Sequence, residues 1–315
     1  MKTLTKNQTA DFLTQKDNFV ILTHRRPDGD TLGSAALLCR GLRKLGKTAH
    51  ILRNPEITEK YAHLHEGLTT EQVNNGDILV AVDTASKGML PEAFFACADK
   101  ITLRIDHHAT ADSFTDYELV EGEAAACGEL VAKVLSLMGV QLDKPMANAL
   151  YTAISTDTGC FRYANTTAET FECAAHCAYN GADLFAINQA LFDTNSLGRL
   201  RIQGYLIENA VFLQDGKVVI CPLPKSVEVE LGVTEDDLEN ISGFPRSIEG
   251  VKIAATLREE GENRIKLSVR TVPGCDAAEI CRKFGGGGHK GAAGASMNCS
   301  MTEAVDAIKE AIPQI

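Results

Sequence analysis

A group of acidic residues and histidines directly follows apolar, strand-like segments of this sequence. They are His24, Asp28 and Asp30 after NFVILT, Asp83 after DILVAV, and Asp106, His107 and His108 after ITLRI. A further acid, Asp157, follows the apolar segment ALYTAIST. Ligands of open α/β sheets bind outside the carboxyl ends of the strands. We therefore expect these side chains to converge on one site.

Four carboxylates gathered in such a site repel one another. At a separation of about 6 Å and an effective dielectric of ~20, each pair costs roughly 3 kcal/mol, and six pairs together cost roughly 17 kcal/mol. That sum exceeds a typical free energy of unfolding of ~5–15 kcal/mol. Two divalent cations would neutralise Asp28, Asp30, Asp83 and Asp157 and would stay open to an anionic phosphate.

The types of the ligand atoms favour one class of metal. Carboxylate oxygen combined with imidazole nitrogen, without thiolate, favours Mn²⁺ or a similar ion over structural zinc. One carboxylate that bridges two ions about 3.5–4 Å apart is the arrangement that activates water for in-line attack on phosphorus. Asp83, alone at the end of its strand, is the predicted bridge. Each acid by itself is more simply a turn residue or a helix cap, so the prediction depends on the whole set.

The elements that must position these residues alternate between strands and helices, which is typical of a mostly parallel sheet. The predicted strands are 18–24, 48–53, 77–83 and 100–106. The predicted helices are 33–45, 124–138, 144–155, 167–180 and 184–192. The sequence therefore predicts an α/β fold whose amino-terminal domain contains a parallel sheet.

The pattern changes from about Lys217 onward. KVVICPL, GVKIAATLR and RIKLSVR predict short strands, and helices are predicted at 277–284 and near 302–311. These elements indicate a second, smaller α+β domain. The predicted organisation is a larger first domain at 1–190, a helical connector at 191–214 and a smaller second domain at 215–315.

Composition limits the function classes. Hydrophobic residues make up 44% and charged residues 23% of the chain, which indicates a folded, soluble protein. The formal net charge of −11 disfavours binding to duplex DNA or to an anionic membrane. The ten cysteines are scattered and form no CxxC pair, and neither an export signal nor a membrane span is visible. We expect a cytoplasmic location.

Four motifs resemble those of the DHH phosphoesterase superfamily. They are HRRPDGD with the following TLGSA, then VDTAS, then RIDHHAT, then STDTG. Nearer the carboxyl end, LSVRTV and GGGGHKGAAGAS resemble the associated DHHA1 substrate-binding domain. Together they are most similar to the short two-domain members that act as oligoribonucleases (nano-RNases) and as phosphatases of 3′-phosphoadenosine 5′-phosphate (pAp).

The resemblance implies roles for individual residues. One metal would be held by His24, Asp28 and Asp83, and the other by Asp30, Asp83, His107 and Asp157. His108 would face the substrate phosphate or the leaving group, as a catalytic residue beside Asp83, and Asp106 would orient neighbouring ligands. The implied substrate-binding residues are Arg270, Gly286, Gly287, Gly288 and His289.

The expected activity is Mn²⁺-dependent hydrolysis of short oligonucleotides to mononucleotides, with phosphatase activity on pAp. Four alternatives stay open: a cyclic or linear dinucleotide phosphodiesterase, a pyrophosphatase, a RecJ-like single-strand exonuclease, and a nucleotide-binding sensor without turnover. The expected partners are short oligonucleotides or nucleotide phosphates, and the oligomeric state stays open with a homodimer among the expectations. Arg162, just after Asp157, is equally compatible with a substrate contact and with a surface ion pair.

Overall fold

The computed structural model describes residues 2–108, 113–238 and 240–315, and it divides into two compact units. The N-terminal unit is Met1–Thr194 and the C-terminal unit is Asn195–Ile315. In the part of the chain that is described, no helix is long and apolar enough to span a bilayer.

The N-terminal unit is built on a seven-stranded sheet in which every neighbouring pair of strands is parallel. Its strands are β1 (Lys2–Thr3), β2 (Phe19–Leu22), β3 (Ala49–Leu52), β4 (Thr69–Thr70), β5 (Ile78–Val82), β6 (Ile101–Asp106) and β7 (Tyr117–Val120). Their order across the sheet is β1-β7-β6-β5-β2-β3-β4. The predicted α/β class with a parallel sheet is confirmed.

Helices follow most of these strands. They are α1 (Lys6–Gln15), α2 (Gly29–Lys44), α3 (Glu59–Ala62), α4 (Cys127–Leu137), α5 (Lys144–Asp157), α6 (Ala168–Tyr179) and α7 (Leu184–Asn188). Short 3₁₀ turns lie at His63–His65, Lys87–Met89, Glu92–Phe94 and Ala98–Lys100, and a π turn lies at Gln189–Asp193.

Both faces of the sheet are covered by apolar side chains, as a parallel sheet requires. Alternate residues of β2 enter different clusters: Phe19 and Ile21 join the larger core formed with α2, α4 and α5, whereas Val20 and Leu22 join a smaller core on the other face. The continuous apolar run of this strand is therefore explained by burial on two sides.

Helices α2 and α5 approach each other closely through glycine. A Cβ on Gly33 would lie 2.4 Å from the carbonyl oxygen of Ala149, and a Cβ on Gly29 would lie 2.4 Å from the side chain of Thr156. Gly128, at the start of α4, likewise contacts α5 at Ala153. This close packing fixes the start of α2 and the end of α5 next to each other.

The C-terminal unit contains a six-stranded mixed sheet with the order β12-β13-β11-β10-β9-β8. Its strands are β8 (Val211–Leu213), β9 (Val218–Leu223), β10 (Ile253–Gly261), β11 (Arg264–Thr271), β12 (Gly287–Gly288) and β13 (Ala292–Met297). Its helices are α8 (Leu197–Glu208), α9 (Lys225–Glu230), α10 (Ala277–Arg282) and α11 (Met301–Ala311), with 3₁₀ turns at Asp236–Leu238 and Ile241–Ser247. The predicted α+β class of this part is confirmed.

Two local features differ from the sequence-based predictions. Helix α1 is not predicted, because few of its residues are apolar; it begins with a capping box between Thr5 and Gln8 and buries mainly Leu13. Helix α2 begins at Gly29, four residues earlier than predicted, because the Asp28 carboxylate caps it. Asp30 consequently lies in the first turn of a helix and not in a loop.

The contact between α2 and α5 gives a stability prediction. We expect Gly33→Ala to lower the free energy of unfolding by about 1–3 kcal/mol, because the added methyl group meets backbone atoms that cannot move independently of α5. Gly41→Ala on the same helix is the matched control, since its methyl group would meet the flexible end of Leu135. Chemical denaturation of both variants checks this, and a Gly33→Ala protein as stable as its parent would contradict the packing argument.

Candidate active site

The predicted site residues that follow strands lie at the carboxyl ends of three adjacent strands. His24 lies two residues beyond β2, Asp83 directly follows β5, and Asp106 ends β6 and precedes His107 and His108. Because β6, β5 and β2 are neighbours in a parallel sheet, these ends meet at one edge. The location is the one at which such sheets bind ligands.

Two helices, α2 and α5, supply the remaining acids. Asp28 is the N-cap of α2 and accepts hydrogen bonds from the backbone of Asp30 and Thr31 at 3.0 and 3.2 Å. Asp157 is the last residue of α5. The close packing of α2 on α5 therefore brings these carboxylates to the same edge.

The Asp30 carboxylate is fully buried and held by backbone donors. Its oxygens accept hydrogen bonds from the amides of Cys127 at 2.6 Å and Gly128 at 3.0 Å, which begin α4, and from the Ser34 hydroxyl at 2.9 Å. Unpaired amides at a helix start favour a negative charge. The sequence analysis did not identify α4 as this partner, and nothing in the local sequence indicates it.

Three overlapping groups of described side chains at this edge could each hold a metal ion: Asp83 with His107 and His108, and two groups that consist of predicted ligands. In the first of these two, His24 Nε2 lies 3.7 Å from Asp28 Oδ1 and 3.5 Å from Asp83 Oδ2. In the second, His107 Nε2 lies 3.8 Å from Asp30 Oδ2 and 3.3 Å from Asp157 Oδ2. The predicted ligands thus lie close together in two groups.

Asp83 lies between the group around His24 and the group around His107. Its Oδ2 faces His24, whereas its Oδ1 lies 3.4 Å from His107 Nε2. Oδ1 is buried and has no hydrogen-bond partner among the described residues. A buried carboxylate oxygen without a donor carries a desolvation cost that a cation would remove.

The spacing of the donor atoms fits ligands around an ion better than direct hydrogen bonds. Two atoms bound to one ion at about 2.1 Å, at an angle of 90–120°, lie about 3.0–3.6 Å apart. The histidine-to-carboxylate distances of 3.3–3.8 Å lie at or slightly beyond this spacing and exceed normal hydrogen-bond lengths. The residues present therefore fit the binding of divalent metal.

Backbone carbonyls set the tautomers of two histidines. His24 Nδ1 lies 2.8 Å from the carbonyl oxygen of Arg25, and His107 Nδ1 lies 3.1 Å from that of Ala124. A carbonyl oxygen can only accept a hydrogen bond, so each Nδ1 must carry a proton and donate the hydrogen bond. Each Nε2 is then the nitrogen that faces the carboxylates, and it can ligate a metal once its proton is displaced.

His108 has a different partner. Its Nδ1 donates to Asp106 Oδ1 at 2.7 Å, and the same oxygen accepts the amides of His107 and His108 at 2.9 and 3.3 Å. The proton on Nδ1 is therefore hydrogen-bonded to Asp106, although Nδ1 also lies 3.6 Å from Asp83 Oδ1. This arrangement leaves Nε2 of His108 as the nitrogen available to a ligand.

The backbone of Asp83 adopts a left-handed conformation, with φ of +52°, while its side chain is 2% exposed. Such a conformation costs about 1–3 kcal/mol in a residue other than glycine, although aspartate tolerates it better than most. The amide of Asp83 donates to the carbonyl oxygen of Ile105 at 2.9 Å, which holds the strained turn against β6.

The pKa values describe a cluster that balances its carboxylates with protons when no cation is present. Burial raises the pKa of Asp157 to about 7, with help from Asp83 and Asp28. Burial lowers the pKa of His107, but the facing carboxylates of Asp83, Asp30 and Asp157 outweigh it and raise the value to about 11. Burial also opposes ionisation of Asp83, yet His107 and His24 hold its pKa below the ordinary value.

Asn165 is a further residue of this edge that the sequence analysis missed. Its Nδ2 donates to the carbonyl oxygens of Asp157 and Ala125, both at 3.1 Å. Ala125 follows the residue whose carbonyl fixes His107, so the amide links the segments that carry two candidate ligands. The contacts join distant parts of the sequence, and no local pattern predicts them.

The predicted substrate-binding residues lie in the C-terminal unit. Arg270 is on β11, opposite Ala292 of β13. His289 and Ala292 exchange backbone hydrogen bonds at 2.8 and 3.2 Å and close the tight turn between β12 and β13. The preceding Gly286, Gly287 and Gly288 form and flank β12, which pairs with β13.

Close contacts with neighbouring backbone leave no room for a side chain at two positions of the glycine run. A Cβ on Gly286 would lie 2.2 Å from the carbonyl oxygen of Gly294, and one on Gly288 would lie 2.6 Å from that of Ala292. Gly288 also has a φ of +143°, which side chains rarely allow. The run therefore has a structural requirement in addition to any role in binding.

Family models match both units of the chain. The model described as "DHH family, N-terminal domain" matches residues 18–154, and the model described as "DHHA1 domain" matches residues 215–315. The candidate metal ligands His24 to Asp83 and His107 lie within the first match, and Asp157 lies three residues beyond it.

Curated relatives and a solved structure cover most of the chain. A Thermus thermophilus protein named "Bifunctional oligoribonuclease and PAP phosphatase NrnA" is 32% identical over 299 residues, which are 93% of this chain and 88% of that protein. The cyclic-di-AMP phosphodiesterase GdpP of Bacillus subtilis is 26% identical over 96% of this chain, but over only 49% of its own length.

The crystal structure of an exopolyphosphatase-related protein from Bacteroides fragilis superposes with a TM-score of 0.88. It is 25% identical, and the match covers 97% of this chain and 94% of that one. The two family models, together with a relative above 30% identity along nearly the whole sequence, show that this chain belongs to the DHH/DHHA1 phosphoesterase family and is a hydrolase of phosphoester bonds.

Proposed function

We propose that this protein is a Mn²⁺-dependent phosphohydrolase that degrades short oligonucleotides to mononucleotides and removes phosphate from pAp. The observation that supports it most is Asp83, whose two oxygens face two different histidines, each beside further carboxylates. A single carboxylate between two such groups is what a two-metal phosphoesterase needs.

Each candidate ligand has a proposed place. His24, Asp28 and Asp83 would hold one ion, and Asp30, Asp83, His107 and Asp157 would hold the other. The oxygen and imidazole donors favour Mn²⁺ over structural zinc. When bound, the ions supply a water nucleophile at neutral pH and neutralise the charge of the phosphate.

His108 is proposed to act on the substrate directly. Because Nδ1 donates to the Asp106 carboxylate, Nε2 is presented in a fixed orientation. The hydrogen bond to Asp106 raises the pKa of His108, so that its ring retains a proton near neutral pH more readily than a free histidine. A protonated Nε2 can donate to a phosphate oxygen or to the leaving group.

The proposed substrate class has two supports. The Thermus thermophilus relative is named for oligoribonuclease and PAP phosphatase activity. The net charge of −11 disfavours long polyanions. Arg270, His289 and the glycine turn are proposed to bind the nucleotide, with the arginine contacting phosphate.

A second candidate is hydrolysis of cyclic or linear dinucleotides, and the similarity to the phosphodiesterase GdpP favours it. The same metal ligands would serve that reaction. Because this chain spans about half the length of GdpP, we place this activity second.

A substrate panel distinguishes these functions. We expect di- to pentaribonucleotides and pAp to be hydrolysed at a higher kcat/KM than cyclic dinucleotides, pyrophosphate or a single strand of about thirty nucleotides. Each substrate is assayed with Mn²⁺, with Mg²⁺ and with chelator. Preferential cleavage of a cyclic dinucleotide would favour the second candidate, and efficient cleavage of the long strand would contradict both.

The bridging role predicts the effect of Asp83→Asn. We expect activity to fall at least ~10³-fold while the fold is retained, since an amide cannot hold two cations as a carboxylate does. Circular dichroism checks the fold, and mass spectrometry measures the bound metal. Asp11→Asn, at an exposed site on α1, is the control. Nearly normal activity with two ions still bound would refute the bridge.

The pKa values of the metal-free cluster predict proton release on metal binding. His107, with a pKa raised to about 11, and Asp157, with a pKa raised to about 7, must both be deprotonated to serve as ligands. Protons therefore compete with metal at low pH, and affinity should rise as pH rises from 6 to 8. Because Asp157 is mostly ionised at pH 8, fewer protons should be released there.

Calorimetric titration of the metal-free protein with Mn²⁺, in buffers of different ionisation enthalpy, measures the released protons. The Asp157→Asn variant should show a smaller difference between pH 6 and pH 8. A heat of binding that is independent of the buffer at both pH values would contradict the proposed ligand set.

A further inference from the structure

The turn that follows the candidate ligand Asp157 is tightly folded onto the end of α5. The amide of Cys160 donates to the carbonyl oxygen of Ser155 at 2.7 Å, and the amides of Arg162 and Tyr163 donate to that of Thr158 at 2.9 and 3.0 Å. These bonds fix the backbone of the turn relative to the last residue of the helix.

The same turn contains consecutive residues in the left-handed conformation. Gly159, Cys160 and Phe161 have φ of +56°, +58° and +61°. Two of them are not glycine, and such strain persists only where the surroundings hold it. The ring of Tyr163 covers Gly159, where a Cβ would lie 2.3 Å from Cζ of the ring. Strain of this kind next to a ligand indicates that the position of the turn matters.

The turn holds the guanidinium of Arg162 in place. Arg162 Nε donates to the carbonyl oxygen of Gly159 at 2.6 Å, within the same turn. The residue is exposed, and among the described residues no carboxylate forms an ion pair with it. The surface ion pair that the sequence left open is therefore not formed with any described residue. Its two outer nitrogens carry the donors that a phosphate accepts in parallel.

The carbonyl group that holds the guanidinium is near in sequence to a candidate metal ligand. Gly159 is two residues from Asp157, so their Cα atoms are at most about 7.6 Å apart. Asp157 Oδ2 in turn lies 3.3 Å from His107 Nε2. A cation near this acid-rich edge is favoured electrostatically, and it would gain further from an anionic substrate.

We infer that Arg162 binds the substrate phosphate that undergoes hydrolysis. The inference rests on the proposed metal centre. It goes beyond the nucleotide recognition assigned to Arg270, because Arg162 would act on any phosphoester, whatever its nucleoside. A guanidinium whose Nε is already bonded loses little freedom when its outer nitrogens bind oxygen, which favours a strong contact.

The test compares Arg162→Met, Arg162→Lys and the control Arg246→Met, which changes an exposed arginine of the C-terminal unit. Binding of inorganic phosphate to the Mn²⁺-loaded proteins is measured by calorimetry, and metal content by mass spectrometry. Hydrolysis of a dinucleotide and of a small activated phosphoester is measured in parallel.

We expect Arg162→Met to weaken phosphate binding about 10- to 100-fold and to lower kcat/KM on both esters by a similar factor, with unchanged metal content. Arg162→Lys should recover part of both losses, because it restores the charge without the planar donor pair. Arg246→Met should match the parent protein. Unaltered phosphate binding by Arg162→Met, or loss of metal from it, would overturn the inference.

These measurements separate this inference from the proposed substrate. A parent protein that binds phosphate and hydrolyses the small ester but leaves dinucleotides intact would refute the proposed oligonucleotide activity alone. The effect of Arg162→Met on phosphate binding would still decide the role of Arg162.

Discussion

The structure depends on holding several carboxylates in a small, largely buried volume. Asp30, Asp83 and Asp106 are each at most 2% exposed, and each ionised group needs a compensating partner. The start of α4 donates to Asp30, histidines face Asp83, and His108 pairs with Asp106. The pairing is incomplete at two atoms, because Asp83 Oδ1 and Asp106 Oδ2 accept no hydrogen bond from the described residues. The fold therefore provides a site in which cations complete a balance that protons otherwise maintain.

Much of the remaining architecture keeps these groups at their spacing. Parallel strands bring three ligand-bearing ends to one edge, and only a close approach of α2 to α5 can place Asp157 there as well. Glycine at positions 29 and 33 allows that approach, while Asn165 ties the end of α5 to the segment that fixes His107. Packing between helices thus determines where the candidate ligands lie.

The sequence predicts the parallel sheet, because a strand buried on both faces is a continuous apolar run, and it predicts where Asp83 follows such a run. It also predicts a metal cluster, since acids and histidines at several strand ends share one edge. It does not predict that the start of α4 donates hydrogen bonds to Asp30 or that Asn165 joins two segments, because both contacts link residues far apart in the chain. Helix α1 is not predicted, because its stability comes from a capping box and from packing. Its sequence has little apolar periodicity. The sequence does not decide whether Arg162 contacts substrate or forms a surface ion pair. That decision needs the positions of nearby carboxylates, which only the three-dimensional structure gives.

The adjacent histidines show how partners assign roles to identical side chains. His107 and His108 both carry a proton on Nδ1, and both leave Nε2 as the functional nitrogen. The Nδ1 of His107 donates to a neutral carbonyl, and its Nε2 faces three carboxylates that a cation would share, so metal binding displaces the proton there. The Nδ1 of His108 donates to a carboxylate, which stabilises a positive ring, so a proton on Nε2 is retained until a substrate oxygen accepts it. In the proposed mechanism one neighbour holds metal and the other donates a proton, and the difference arises from the groups on both sides of each ring.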